Sequence, residues 1–120
     1  MTFLTLYIPS QGLEHQTGRG HPESPERLAA ILSLLDKAPF NKLSRVQPEE
    51  APLKAIKRAH DSRYLDRLEE SIPDYGQTHI DGDTVLSPGS YAAALTAAGA
   101  VCQAVDDIID AKTTRAFCAV

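Results

Sequence analysis

Cysteine is scarce in this chain: two residues in 120, Cys102 and Cys118. That is too few for a disulfide framework, and both read as thiols buried in apolar settings, which fits a reducing cytoplasm. No apolar run approaches the length that crosses a bilayer. The N-terminal Met1–Ile8 stretch is too short for a signal h-region and has no basic residues ahead of it. Basic residues are not in excess. Lys and Arg number 12 against 16 Asp and Glu, a formal net charge of −4 with a pI near 5.5. Such a balance argues against nucleic acid or an anionic membrane surface as a partner. Internal repeats and low-complexity segments are missing too. So are the Gly-x-Ser-x-Gly nucleophile elbow and the Gly-x-Gly-x-x-Gly dinucleotide fingerprint.

What remains is an ordinary globular composition, 42% hydrophobic and 23% charged, enough for one domain or a piece of one. Phe3–Ile8 is rich in β-branched and aromatic residues and is stopped by Pro9, which predicts a strand. Residues 9–23 read as a long loop carrying Gly12, Gly18, Gly20 and Pro22. Ser24-Pro25-Glu26 is a helix start, with Ser24 as cap, and Leu28, Ile31, Leu32 and Leu35 follow at helical spacing. Leu43–Val46 reads as a short edge strand. Pro52 opens a second helix. Asp61 caps a third that carries Tyr64, Leu65 and Leu68 on one face. Residues 77–87 read as irregular and polar. Ser87-Pro88-Gly89 then starts the longest helix, with Tyr91, Leu95, Ala98, Cys102, Val105 and Ile109 spaced by three or four and alanines (Ala92, Ala93, Ala94, Ala97, Ala98) that allow close packing against a sheet or another helix. Asp106, Asp107 and Asp110 near its end read as solvated. The chain closes on Arg115–Val120, an apolar strand that reads as cut at its far end. Strands alternating with helices imply an α/β layer fold with a largely parallel sheet and right-handed crossovers.

Candidate chemistry is sparse. His15 and His21 lie six apart in the first loop with Glu14 and Glu23 nearby. Imidazole and carboxylate can ligate zinc, but the spacing matches no tight ligand set, and loop structure is the favoured reading. His60-Asp61 reads as a helix-end histidine followed by an N-cap aspartate. His79, Asp81 and Asp83 form the densest polar cluster. They could bind a hard cation or exchange protons, and Asp-Gly-Asp-Thr is equally what a turn before a helix looks like. Ser24, Ser87 and Ser90 read as capping or loop serines. Lys54, Lys57 and Arg58 read as a solvated helix face.

Four ordered stretches resemble the histone deacetylase family. Gly20-His21-Pro22-Glu23-Ser24-Pro25-Glu26-Arg27-Leu28 resembles its N-terminal signature, and Ala59–Leu65 its second helical motif. Asp81–Ala93 is similar to a loop and helix of its bacterial members, which include acetylpolyamine amidohydrolases and other deacetylase-like amidohydrolases. Ala116–Val120 resembles the strand leading to the catalytic loop. The resemblance implies an arginase-like three-layer α/β/α fold with a mainly parallel sheet. Residues 1–120 would form the N-terminal portion of one such domain, with about three of its strands, incomplete at the C-terminus.

The activity implied is zinc-dependent hydrolysis of an acetyl-amine bond, as in acetyl-lysine or acetylpolyamine, with a metal-activated water as nucleophile. The family's zinc ligands, His-His pair and tyrosine have no counterpart in these residues. The resemblance therefore implies no catalytic residue, no metal ligand and no cofactor for this chain, and no activity for it alone. It carries over Asp83 as the rim aspartate that accepts substrate N–H groups, with Asp81 as the alternative. Arg27 matches the arginine near the internal channel behind the active site, its alternative being a structural ion pair. Residues 11–23 resemble a rim loop. The last strand is expected to expose an unpaired edge, which implies a homo-oligomer. Two functions stay open: the N-terminal part of a zinc amidohydrolase, or a stand-alone non-catalytic assembly domain descended from that fold. A third, small metal-binding protein would use His79, Asp81 and Asp83.

Overall fold

The computed structural model describes residues 1–120. The first strand, β1, is Thr5–Tyr7, followed by a 3-10 turn at Ser10–Glu14 and the helix α1, Pro25–Leu35. Strand β2 is Ser44–Val46, and the helices α2 and α3 span Leu53–Ile56 and Ser62–Glu70. Strands β3, Thr78–Asp81, and β4, Thr84–Leu86, precede the long helix α4, Ser90–Ile109, and the final strand β5, Ala116–Cys118.

β1 is the centre of a parallel sheet ordered β2-β1-β5. Each neighbour in sequence order is separated by helices, as parallel pairing requires. Period 2 then assigns the two faces. Tyr7 packs with Ala100 and Ala104 of α4, and Val46, Ala116 and Cys118 close around them. Leu6 and Phe117 face the other way, into an apolar groove shared with Ile31, Leu34, Leu35 and Phe40 on the α1 side. The result is helix, sheet, helix: the expected three-layer α/β/α arrangement with three parallel strands.

Several expectations are corrected. Residues 77–87 are not irregular. β3 and β4 pair antiparallel, with a bulge between His79 and Asp81, and Gly82-Asp83 makes a two-residue connection. Alternating polar and apolar residues around Asp-Gly carry that signal. The 9–23 segment is not wholly loop, since it holds the 3-10 turn. Asp61 does cap α3, its side chain accepting from Arg63 N, whereas Ser24 makes no side-chain cap bond at α1.

α4 packs through its small residues, as its alanines allow. Its buried positions are the small ones, including Ala93, Thr96, Gly99, Ala100 and Ala104. Val105 and Ile109 are exposed, and so is Cys102. Close approach decides this. Ala51 N donates to Leu95 O at 2.9 Å, and a Cβ at Gly99 would overlap the Glu49 carbonyl and sit 2.8 Å from Ala51 N. Only a small-residue face lets a backbone come that near. By length and composition alone, α4 is long and apolar enough to cross a membrane. That departs from the expectation that no run approaches such a length. Asp106 and Asp110 are exposed as expected, but Asp107 is buried.

Candidate functional site

In parallel sheets, ligands gather beyond the carboxyl ends of the strands. Pro9, just past β1, and Val120, just past β5, both line one cleft of about 240 Å³. The N-terminal turn of α1 contributes Arg27 and Leu28, the first loop contributes His15 and Glu23, and the start of α4 contributes Ser90 and Tyr91. The walls are mainly apolar, with Leu68 and Ile72 from the α3 side.

Arg27 is the cleft's fixed cation. Its Nη2 donates to the Val120 carbonyl at 2.9 Å and to Glu23 Oε1 at 3.1 Å. Its Nε is buried without a partner. The Arg27–Glu23 pair follows the i, i+4 spacing at the start of α1. The guanidinium thus ties α1 to the end of β5.

His15 is held by Ser90, which Ser87 holds in turn. Ser90 Oγ accepts from Ser87 N at 2.7 Å and lies 2.7 Å from His15 Nδ1. Ser90 Oγ also lies 3.1 Å from Ser87 Oγ, so the two hydroxyls and the imidazole form one connected network. Burial pushes the His15 pKa down, partly opposed by the Glu23 charge, so the ring is held neutral. Ser87 Oγ donates to the Glu14 carbonyl at 3.1 Å and accepts from Gln16 N at 2.9 Å. Gly89 packs so closely on this loop that a Cβ there would lie 2.6 Å from Glu14 O. The two serines expected as caps are the staple between the first loop and α4, a role their Ser-Pro-Gly-Ser spacing alone did not reveal.

His21 is bonded to the hairpin instead of the cleft. Its Nε2 lies 2.9 Å from the Asp83 carbonyl oxygen and 3.3 Å from Asp83 Oδ1. Asp81 Oδ1 accepts from Asp83 N at 2.9 Å, and this bond holds the Asp81 carboxyl below the usual carboxylate range. Asp83 itself stands at the turn with its carboxylate in solvent. The loop-structure reading of His15 and His21 is thus realised in named bonds. His60 stacks on Tyr64 at 5.7 Å between ring centroids. His79 sits on exposed β3, and no group of three or more His, Cys, Asp or Glu side chains comes together as a metal site. Arg27 and Asp83 do not share one pocket. They are linked through His21 and Glu23.

The comparisons agree with this architecture. The family model of the histone deacetylase domain matches residues 21–120. Type-2 histone deacetylase 2 of Dictyostelium discoideum is 29% identical over 136 aligned residues, which cover 90% of this chain and 8% of that protein. An uncharacterised protein of Synechocystis is 36% identical, covering 91% of this chain and 37% of its own length. The histone deacetylase-like amidohydrolase of Pseudomonas aeruginosa is 32% identical over 93% of this chain and 30% of its own length. The solved HDA15 HD domain superposes with a TM-score of 0.88 at 22% identity, over all of this chain and 36% of that one. The chain therefore spans well under half the length of each of these relatives. With the signature stretch, the three-layer fold and the family match all falling on the same residues, the chain belongs to the histone deacetylase family and represents part of its domain.

Proposed function

We propose that these residues form the N-terminal part of a zinc-dependent deacetylase that hydrolyses acetyl-amine bonds, and that they have no turnover alone. The observation that carries this reading is Arg27, seated in an apolar cleft at the carboxyl ends of β1 and β5 and bonded to the Val120 carbonyl. Arg27 supplies the inner-wall cation of the family's channel. Its fork geometry suits a carboxylate or carbonyl oxygen. Asp83 supplies the rim carboxylate, which accepts substrate N–H groups through charge-assisted bonds, with Asp81 bracing its backbone. In the family, zinc supplies Lewis-acid activation of water. The family's zinc ligands have no counterpart in the stretches matched here, so no step is routed through zinc.

The edge of β5, open on the side away from β1, is proposed to pair with the family's next strand in a complete domain and with a second copy in the isolated chain. The test incubates the purified 120-residue chain with zinc and an acetyl-lysine reporter. No product is expected, and zinc-dependent turnover would overturn the reading. The same residues inside a complete domain should hydrolyse the reporter, with Arg27→Ala lowering kcat and Asp83→Ala raising KM.

A further inference from the structure

Asp83 is held chiefly by its backbone, and its carboxylate adds one 3.3 Å contact to His21 Nε2. Its N–H donates to Asp81 Oδ1 at 2.9 Å. Its carbonyl oxygen lies 2.9 Å from His21 Nε2, across 62 residues of sequence. The carboxylate is left 91% exposed. A two-residue connection between strands of three and four residues has little rigidity of its own, and β3 and β4 are paired only with each other. A carboxylate displayed there stays in place only if the turn is tied to the body of the domain.

His21 makes that tie. Its side chain is only 18% exposed. Nδ1 lies 3.1 Å from Glu23 N, which donates to it, and 3.0 Å from the Glu23 carbonyl oxygen. An accepting Nδ1 puts the proton on Nε2, the tautomer that donates to the Asp83 carbonyl. Glu23 in turn accepts from Arg27 at 3.1 Å, and the Thr17 hydroxyl donates to the Glu23 carbonyl. The rim turn and the cleft cation are thereby joined through one half-buried imidazole and one glutamate.

We infer that His21 is a positioning residue: it fixes the backbone of the β3–β4 turn so that the Asp83 carboxylate is presented to the amide N–H of a bound substrate. This rests on the reading of Asp83 as the rim acceptor. A preorganised acceptor spares the substrate the cost of ordering the turn.

The experiment is nuclear magnetic resonance on the 120-residue chain. In the unmodified chain the His21 ring should show the Nε2–H tautomer, and the Nδ1–H tautomer would overturn the inference. Backbone order parameters at Asp83 and Thr84 should be near the rigid value of about 0.85 and fall toward about 0.6 in His21→Ala. His21→Gln, which keeps a side-chain N–H donor, should recover most of that order. Unchanged order in His21→Ala would overturn the inference, and so would loss of order in His21→Gln equal to that in alanine. Asp83→Ala tests the rim reading separately, by titration with an acetyl-lysine peptide. If the peptide shifts the same resonances in Asp83→Ala as in the unmodified chain, the rim reading fails, while the tautomer and order measurements still decide the part played by His21.

Discussion

The phenol of Tyr7, at the centre of the parallel sheet, donates to Asp107 Oδ2 at 2.9 Å across 100 residues of sequence. Lys112 Nζ meets the other oxygen of the same carboxylate at 2.9 Å. The buried acid near the C-terminus of α4 is thus satisfied from both sides, as a polar group in that place must be. It also bolts the last turn of the longest helix to the first strand.

Tyr7→Phe should therefore destabilise the chain by about 1–3 kcal/mol, because a buried hydrogen bond to a charged acceptor is lost with little change in shape. Urea unfolding measures it, and a difference within error would show that the Tyr7–Asp107 bond adds nothing.

The same contact shapes the pH dependence. Burial first, then the bond to Asp107, pushes the Tyr7 pKa up to about 12 from 10.0. A raised value in the folded state gives stability that is whole below pH 10.0 and is lost as pH rises toward about 12. Lys112, raised by its bond to Asp107, acts in the same direction above its ordinary 10.5. Asp107 is held low by its bonds to Lys112 and then Tyr7. Its contribution is therefore present above pH 3.8 and is lost as pH falls below that value. Melting temperature followed against pH should show both limbs, and Tyr7→Phe should flatten the alkaline one.

α4 ends in a Schellman motif, with Lys112 N donating to Asp107 O at 2.8 Å and Ala111 N to Ile108 O at 3.1 Å. The residue at the left-handed position is Ala111, at φ 58°, where glycine is usual. Ala111→Gly should stabilise the chain by about 1 kcal/mol by removing the Cβ conflict. Thermal unfolding reads it as a rise of a few degrees. A fall would mean that the extra freedom of glycine in the unfolded chain outweighs the relief.

Gly99 lets the 49–51 segment lie directly on α4. Gly99→Ala puts a Cβ against backbone atoms of Glu49 and Ala51, which have no side-chain freedom to yield. A loss of about 2–3 kcal/mol is expected, together with faster exchange of the Ala51 amide, which donates to Leu95 O.

The two thiols should differ in reactivity. Cys102 is exposed, and Cys118 is half-buried with its pKa raised by burial. Alkylation at neutral pH followed by mass spectrometry should label Cys102 first, since it is accessible whereas burial shields Cys118 and raises its pKa. Equal rates would contradict the burial of Cys118.

Much of this molecule was legible before any coordinates. The strand around Thr5–Tyr7, the Pro25 helix start, the Asp61 cap and the alternation that demands a parallel sheet all rest on local stereochemistry, which a sequence carries in full. The signature from Gly20 to Leu28 carried the family for the same reason, since its residues are contiguous. The hairpin at 78–86 was missed because its strands are short and polar, and pairing depends on a partner strand as well as on propensity.

Which face of α4 is buried, and what becomes of Asp107, was decided only by tertiary structure. Helical spacing permits both the large stripe through Leu95 and Val105 and the small one through Ala93, Ala100 and Ala104. The choice fell to the small face because the Tyr7 side of the sheet and the backbone of residues 49–51 press in too closely for anything larger. That rotation brings Asp107 under the Tyr7 phenol. The tie from His21 to Asp83 is of the same kind: it joins residues 62 apart, and no local rule along the chain specifies it.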